Sequence, residues 1–407
     1  MNPQRSGWRF VRAEDVAAPG RSIVSGPFGS NIGKRFFVDD GVPVIRGNNL
    51  TKGEKLFVDD GFVFLTEEKA AELRNCEAIP GDLVVTAAGT LGQVGLIPRN
   101  ARYDRYIISN KQLRLRPNCS EVEPLYLYYW FSSSHIRRHL EASNTGSSIP
   151  LINLSVLRAV PISLPPLQTQ RRIAAVLSTY DELIENNLRR IRILEDMAQA
   201  LYREWFVEFR FPGREKLQKV SSEVGSIPFG WSVKRLGEVI TLEYGEALRA
   251  DKRERGPVPV FGSSGVVGFH SVSLTDGPGI IVGRKGNVGS VYWSDGPFFP
   301  IDTVYYVRTS LDLKYAFFNL QTQNFINNDA AVPGLNRNQA YSLPVVIPPV
   351  PLQEKFSGFV EPVFLQLRLL RKRNENLRFT RDLLLPRLIS GELDVSDLDI
   401  AVPETVA

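Results

Sequence analysis

Ile149-Pro150-Leu151-Ile152-Asn153, followed by Val160-Pro161 and Leu164-Pro165-Pro166, recurs as Val332-Pro333-Gly334-Leu335-Asn336, Leu343-Pro344 and Ile347-Pro348-Pro349. Each matched pair is 183 positions apart: Pro150 and Pro333, Asn153 and Asn336, Pro161 and Pro344, Pro165 and Pro348. The register runs on without a gap through Gln170 and Gln353, Arg190 and Arg373, Leu194 and Leu377, and Leu201 and Leu384. Upstream it changes. Gly7-Trp8 matches Gly230-Trp231 at 223 positions, and Gly89-Thr90-Leu91-Gly92 matches Gly286-Asn287-Val288-Gly289 at 197. The second copy is therefore shorter by 40 positions (223 against 183), with the loss spread through its middle. A common frame with divergent loops is the pattern of a duplicated binding scaffold whose copies meet different targets. The period is too long for a solenoid.

At 407 residues the chain exceeds one ordinary core, and its 43% hydrophobic and 23% charged residues describe a folded globular protein. No apolar run approaches the roughly 18 residues of a membrane span. Met1 to Val11 is polar, with Arg5 and Arg9, and has no signal-peptide core. Two cysteines, Cys76 and Cys119, exclude a disulfide framework or a four-cysteine zinc site and fit a reducing, cytoplasmic setting. A net charge of +5 is compatible with an anionic partner without identifying one.

Short runs rich in Val, Ile, Tyr and Phe, such as Asp82-Leu83-Val84-Val85-Thr86 and Gly279-Ile280-Ile281-Val282, read as strands. Helices are expected near Pro124 to Leu140 and Asp312 to Ile326. The Pro-Pro pair ends each globular part, since proline stops a strand and presets a helix start.

Beyond Pro166 the seam residues follow at spacings of four and three: Ile173, Leu177, Tyr180, Ile184, Asn187, Ile191, Leu194, Ala198, Leu201 and Trp205. The second copy has Phe356, Val360, Val363, Leu367, Leu370, Asn374, Leu377, Arg381, Leu384 and Leu388. These are heptad seams, each roughly 50 Å long at 1.5 Å per residue. Placing Asn187 opposite Asn374 in an antiparallel pair makes facing residue numbers sum to 561. Ile184 then meets Leu377, Ile191 meets Leu370, Leu194 meets Leu367, Leu177 meets Leu384, Leu201 meets Val360 and Trp205 meets Phe356. Arg381 against Tyr180 is the odd pair. The expected fold class is α/β: two mixed α/β domains in tandem pseudo-two-fold repeat, joined by two long antiparallel coiled-coil helices, with Asn187 and Asn374 fixing the register. The expected boundaries are 1–165 (first domain), 166–212 (central helix), 213–348 (second domain), 349–393 (C-terminal helix) and 394–407 (tail).

Chemistry is hard to find. There is no Asn/Asp-Pro-Pro-Tyr/Phe motif of an adenine methyltransferase. Gly29-Ser30-Asn31-Ile32-Gly33-Lys34-Arg35 is one residue short between its glycines for a phosphate loop and lacks Ser or Thr after the lysine. His135 and His139 have i,i+4 spacing but no acidic third ligand, so no metal is expected. His270 has no evident catalytic partner.

Two divergent domains, each closed by a Pro-Pro-Leu-x-x-Gln-type start of a long helix, resemble the specificity subunits of type I restriction-modification systems. The matching pieces are Leu164-Pro165-Pro166-Leu167-Gln168-Thr169-Gln170, Ile347-Pro348-Pro349-Val350-Pro351-Leu352-Gln353, Gly26-Pro27-Phe28-Gly29-Ser30, Ile45-Arg46-Gly47-Asn48-Asn49-Leu50, Leu201-Tyr202-Arg203-Glu204-Trp205-Phe206 and Leu388-Ile389-Ser390-Gly391-Glu392-Leu393-Asp394. Together they cover nearly the whole chain. The resemblance implies two target-recognition domains, each reading one half of a split, asymmetric site on double-stranded DNA. It also implies that the helices set the spacing and help dock two methyltransferase subunits, which motor-nuclease subunits join. No cofactor is expected in this chain; S-adenosylmethionine, ATP and magnesium belong to the partners, as does the adenine methylation. The second domain has no evident counterpart of the Gly-Pro-Phe-Gly-Ser or Arg-Gly-Asn-Asn segments. The competing reading is a duplicated coiled-coil adaptor that binds proteins.

Phosphate contact calls for Lys, Arg and small polar donors, and base reading for bidentate Arg, Asn and Gln. The first-domain candidates in glycine-flanked loops or at strand ends are Ser30, Asn31, Lys34, Arg46, Asn48, Asn49, Thr90 and Lys111. Those of the second are Arg284, Lys285 and Asn287 around a Gly-x-x-Gly loop, and Asn336, Arg337 and Asn338 before the closing prolines. Asn153 and Asn336 recur at equivalent places, which suits a shared turn or cap. Arg46 also suits a surface ion pair. The charge run Arg368 to Arg378 reads as a solvated or partner-docking helix face.

Overall fold

The computed structural model describes residues 7–144, 149–213, 218–325 and 334–402. Outside it lie the first six residues of the polar N-terminus, Ile326, Val332 and Pro333 of the repeat, and 403–407 of the tail. The chain packs as two units: one runs up to Asn186 and resumes at Asn374, the other is Asn187–Arg373.

In the first unit an antiparallel sheet has the order Ile23–Ser25, Gln112–Leu115, Leu83–Thr86, Val94–Leu96. A second sheet has the order Val63–Leu65, Val42–Ile45, Tyr106–Ile108, Glu77–Ala78, its two middle strands parallel. Arg9–Arg12 pairs with Pro161–Leu164 as a closing ribbon. The second unit repeats the plan. One sheet runs Ile240–Tyr244, Val304–Thr309, Gly279–Gly283, Val291–Ser294; another runs Gly265–His270, Val258–Gly262, Phe299–Pro300, with the last two parallel. Ser232–Arg235 pairs with Pro344–Ile347.

The sequence offsets are strand registers. Arg9 faces Leu164 and Ser232 faces Ile347, so the 223 and 183 spacings are the two sides of one ribbon. The shortening is equally concrete. The connection between the paired strands Val42–Ile45 and Val63–Leu65 runs over 46–62, whereas in the second unit only Ser263-Ser264 separates Val258–Gly262 from Gly265–His270. Among the described residues, helix Glu67–Glu72 and strand Glu77–Ala78 have no second-unit counterpart.

The Pro-Pro-Leu-x-x-Gln motif is a joint. Gln170 accepts from the Glu123 N–H (2.8 Å), at the start of helix Pro124–Ser132, and donates to the Pro165 carbonyl (2.8 Å). Gln353 accepts from the Asp312 N–H (3.1 Å), at the start of helix Leu313–Thr322, and donates to the Pro348 carbonyl (2.9 Å). Both glutamines are buried, so each pairing satisfies backbone groups that water does not reach. A tyrosine two residues inside each helix adds a second tie: Tyr126 donates to the Ser163 carbonyl and Tyr315 to the Val346 carbonyl, both at 2.5 Å.

The helix expected over Pro124 to Leu140 is two helices, Pro124–Ser132 and Ser134–Ala142. Ser133 between them is extended and accepts from the Ile136 N–H, a serine N-cap that restarts the helix. The long helices are Leu167–Tyr202, which ends in a π-turn over Arg203–Val207, and Val350–Ile389. Every seam residue named above is buried or half-buried. In the second unit Ile191 packs with Leu367, Leu370, Leu194 and Val363, and the rings of Trp205 and Phe356 lie 5.9 Å apart. In the first unit Leu177 and Leu384 share one core with Leu388. Asn374 is buried and donates to the Ile184 carbonyl (3.5 Å). Beyond Ile389 the tail turns back: Val395 enters the first unit's core and Arg172 donates to the Ser396 carbonyl.

Candidate nucleic-acid interface

At one end of the first unit's sheets, backbone bonds gather the loops that carry the candidates. The Ser109 N–H reaches the Ile45 carbonyl (2.9 Å), and the Gly26 N–H reaches the Gln112 carbonyl (3.0 Å). Gly26 lies so close that a Cβ there would collide with the Ser109 carbonyl. The Lys111 carbonyl accepts from Ala87 N–H (2.7 Å) and Ala88 N–H (3.3 Å), and Ile152 N–H reaches the Ala87 carbonyl (2.8 Å). The loops at 26–31, 46–49, 87–92 and 109–111 are thus fixed side by side, presenting Ser30, Asn31, Asn48, Thr90 and Lys111 exposed. Lys34 is also exposed; its neighbour Arg35 donates to the Ser30 carbonyl (3.1 Å).

Arg46 is half-buried, and Arg46 and Asn48 both donate to the Gly61 carbonyl (3.2 Å each). Asn49 requires a correction. At 0% exposure it donates to the Val58 and Asp60 carbonyls and accepts from the Arg46 N–H, all at 2.9 Å, so its amide is spent inside the protein. It holds the loop that presents Arg46 and Asn48 and has no surface to offer DNA. Sequence reasoning missed Gln93, whose amide donates to the Gly47 (3.3 Å) and Leu50 (3.2 Å) carbonyls and ties this loop to the Thr90 loop. No pattern in the sequence marks it.

The second unit repeats the joints with other side chains. Ile301 N–H reaches the Phe261 carbonyl (2.9 Å), Gly245 N–H the Val304 carbonyl (3.3 Å), and Leu335 N–H the Arg284 carbonyl (2.8 Å). The Thr303 carbonyl accepts from Arg284 N–H (2.9 Å) and Lys285 N–H (3.1 Å). A Cβ at Gly245 would strike the Ile301 carbonyl, as one at Gly26 would strike Ser109. These bonds align Gly245 with Gly26, Gly262 with Arg46, Arg284 with Ala87 and Thr303 with Lys111. The counterparts absent from the sequence comparison therefore exist, at Gly245–Arg249 and Gly262–Ser264. Three different offsets (219, 216 and 192, from Gly26, Arg46 and Lys111) hid them.

Lys285, Asn287, Asn336 and Asn338 are exposed, while Arg284 and Arg337 are half-buried. Asn336 caps helix Arg337–Ser342, its oxygen accepting from the N–H of Asn338 (3.0 Å) and Gln339 (3.1 Å); Asn153 caps Leu154–Arg158 in the same way. Tyr244, unremarked in the sequence, stands between the loops, with the Arg284 guanidinium 5.0 Å and the Arg337 guanidinium 5.1 Å from its ring centre. Burial pushes the Tyr305 hydroxyl above its usual range, Tyr244 adds to the rise, and Arg284 opposes it.

The described residues contain no group of three or more possible metal ligands, and no helix among them is long and apolar enough to cross a membrane. The family model described as the type I restriction modification DNA specificity domain matches twice, over residues 6–195 and 228–378. The chain belongs to this specificity family. Among its relatives, the type I restriction enzyme MjaIX specificity subunit of Methanocaldococcus jannaschii is 26% identical over 427 residues, covering 96% of this chain and 94% of the relative. The HindI specificity subunit of Haemophilus influenzae is 27% identical over 176 residues, 41% of this chain and 38% of the relative. The crystal structure of a type I restriction-modification S subunit from M. genitalium covers 95% of this chain and 98% of its own length, with a TM-score of 0.55 and 18% identity. That likeness places this family member in the same two-domain fold.

Proposed function

We propose that this chain is the sequence-reading, non-catalytic subunit of a type I restriction-modification complex. Each domain reads one half of a split, asymmetric site on double-stranded DNA. Partners carry the chemistry: two methyltransferase subunits modify adenine with S-adenosylmethionine, and motor-nuclease subunits use ATP and magnesium. The observation that carries this reading is the loop edge built twice on the same backbone joints with different side chains. One frame supplies two readers, and the side chains that differ (Lys111 against Thr303, Arg46 against Gly262, Ala87 against Arg284) lie on or beside the loops to which this reading assigns base and phosphate contact. Two unlike readers require two unlike half-sites.

Co-expression with a methyltransferase gene encoded beside it, followed by single-molecule sequencing of the host genome, tests the reading. The expected result is modified adenine in a split motif with a fixed gap, lost when this chain is omitted. Methylation at an unsplit site, or methylation independent of this chain, overturns it.

A further inference from the structure

We propose that Tyr244 is a positioning residue that holds Arg284 and Arg337 as one phosphate-binding pair, a device the first domain lacks. The proposal rests on the reading of the chain as a DNA specificity subunit.

Arg284 lies over the rings of both Tyr244 and Tyr305 (5.0 and 5.9 Å), and Arg337 over those of Tyr244 and Tyr341 (5.1 and 5.9 Å). Each guanidinium uses one N–H on a main-chain carbonyl: Arg284 on Asp302 (2.7 Å) and Arg337 on Leu242 (3.5 Å). Among the described residues neither forms an ion pair with a carboxylate, and Arg284 takes the carbonyl of Asp302 rather than its side chain. Two like charges over one ring repel, and a phosphate brought close to them offsets that repulsion. The planar guanidinium fork matches a phosphate through paired N–H donors.

Tyr244 is 49% exposed, so the pair it carries opens to solvent. Exposed Lys285 and Asn287 follow Arg284 in the same loop and extend the cationic edge. A stacked arginine has already lost much of its rotamer freedom, so gripping a phosphate costs less.

The first domain lacks this device. Ser25 precedes Gly26 as Tyr244 precedes Gly245; Ala87 occupies the place of Arg284; Leu154 follows its capping Asn153 as Arg337 follows Asn336. None of the three is a cation or an aromatic. Ser25 and Leu154 instead line an open cleft of about 550 Å³.

The test measures binding of the full chain, co-purified with its methyltransferase partner, to a duplex of random sequence across a salt series. Tyr244→Leu is expected to weaken binding roughly ten-fold and to flatten the log–log salt dependence by about 1 to 2, the loss of one or two phosphate contacts. Tyr244→Phe keeps the ring and both properties. In an Arg284→Gln/Arg337→Gln background, Tyr244→Leu changes nothing further, because Tyr244 acts through the two arginines. Wild-type affinity and slope in Tyr244→Leu, equal losses in the Phe and Leu variants, or a full additional loss in the double-arginine background overturns the proposal while leaving the function intact. A wild-type complex with no salt-sensitive duplex binding overturns the function itself, and this inference with it.

Discussion

Asp181 and Arg381 meet at 2.5 Å between the two long helices of the first unit, and the other carboxylate oxygen of Asp181 accepts from the Tyr129 hydroxyl at 2.6 Å. The seam that looked broken by an arginine is closed by this bridge, one residue from Tyr180. Carrying the repeat forward, Asp181 becomes Phe364, Arg381 corresponds to Ala198, and Tyr129 becomes Phe318. Phe318 and Phe364 pack with ring centres 6.0 Å apart. One place in the frame is ionic in the first copy and aromatic in the second, so a helix half docked on the wrong domain buries a charge against rings.

Arg381→Ala leaves Asp181 facing a half-buried space without its partner and costs about 2–3 kcal/mol, less than breaking a fully buried pair because Asp181 is partly exposed. Replacing the set by its counterparts, Tyr129→Phe with Asp181→Phe and Arg381→Ala, is expected to recover most of that loss. Denaturant unfolding of the wild type and both variants measures the two effects; a triple variant no more stable than Arg381→Ala contradicts the account.

Cysteines placed at Ile184 and Leu377 are expected to form a disulfide under mild oxidation, since both belong to the first unit and face each other in the 561 register. Non-reducing electrophoresis after proteolysis between them reads the link. An uncrosslinked pair means that the register is displaced.

The loop at 46–49 separates a holding residue from a presenting one. Asn49→Ala leaves the Arg46 N–H and two carbonyls unpaired in a buried place and is expected to lower stability by about 1–3 kcal/mol. Asn48→Ala is expected to leave the unfolding midpoint within error and to weaken duplex binding. Thermal unfolding beside a DNA titration distinguishes them; the reverse pattern exchanges the two roles.

Cys76 is buried, and desolvation raises its thiol above the usual range against the opposing pull of Arg21 and Arg114, whereas Cys119 is exposed. At pH 8 a thiol reagent is expected to modify one cysteine quickly and the second only on unfolding. Raising the pH accelerates Cys76 last, because its thiolate forms only above the ordinary thiol range. Two equally fast thiols contradict this burial.

The parts of the molecule legible in the sequence are those where one residue type is demanded repeatedly at one spacing. The heptad seams, the Pro-Pro-Leu-x-x-Gln joints and the strand pairs hidden in the 223, 197 and 183 offsets all belong to this class. What stayed hidden depends on backbone bonds between loops of unequal length. Gly245 and Gly262 could not be aligned with Gly26 and Arg46 because each deletion shifts the count, while the Ile301–Phe261 and Gly245–Val304 bonds restore it. Asn48 and Asn49 read identically as letters; only the depth of the loop places one outside and one within. Tyr244 gave no signal, since an isolated tyrosine at a strand end is ordinary until two arginines arrive from distant loops.

The glutamine joint bears on how such a chain changes over generations. On the domain side Gln170 grips the Glu123 N–H and the Pro165 carbonyl, and Gln353 grips the Asp312 N–H and the Pro348 carbonyl, all of them main-chain atoms. Main-chain groups are present whatever the side chains, so the fastening is blind to the composition of the domain it holds. Loops can lengthen, shrink by dozens of residues or exchange their bases of choice by recombination, and the newcomer will still be clasped at the same two points.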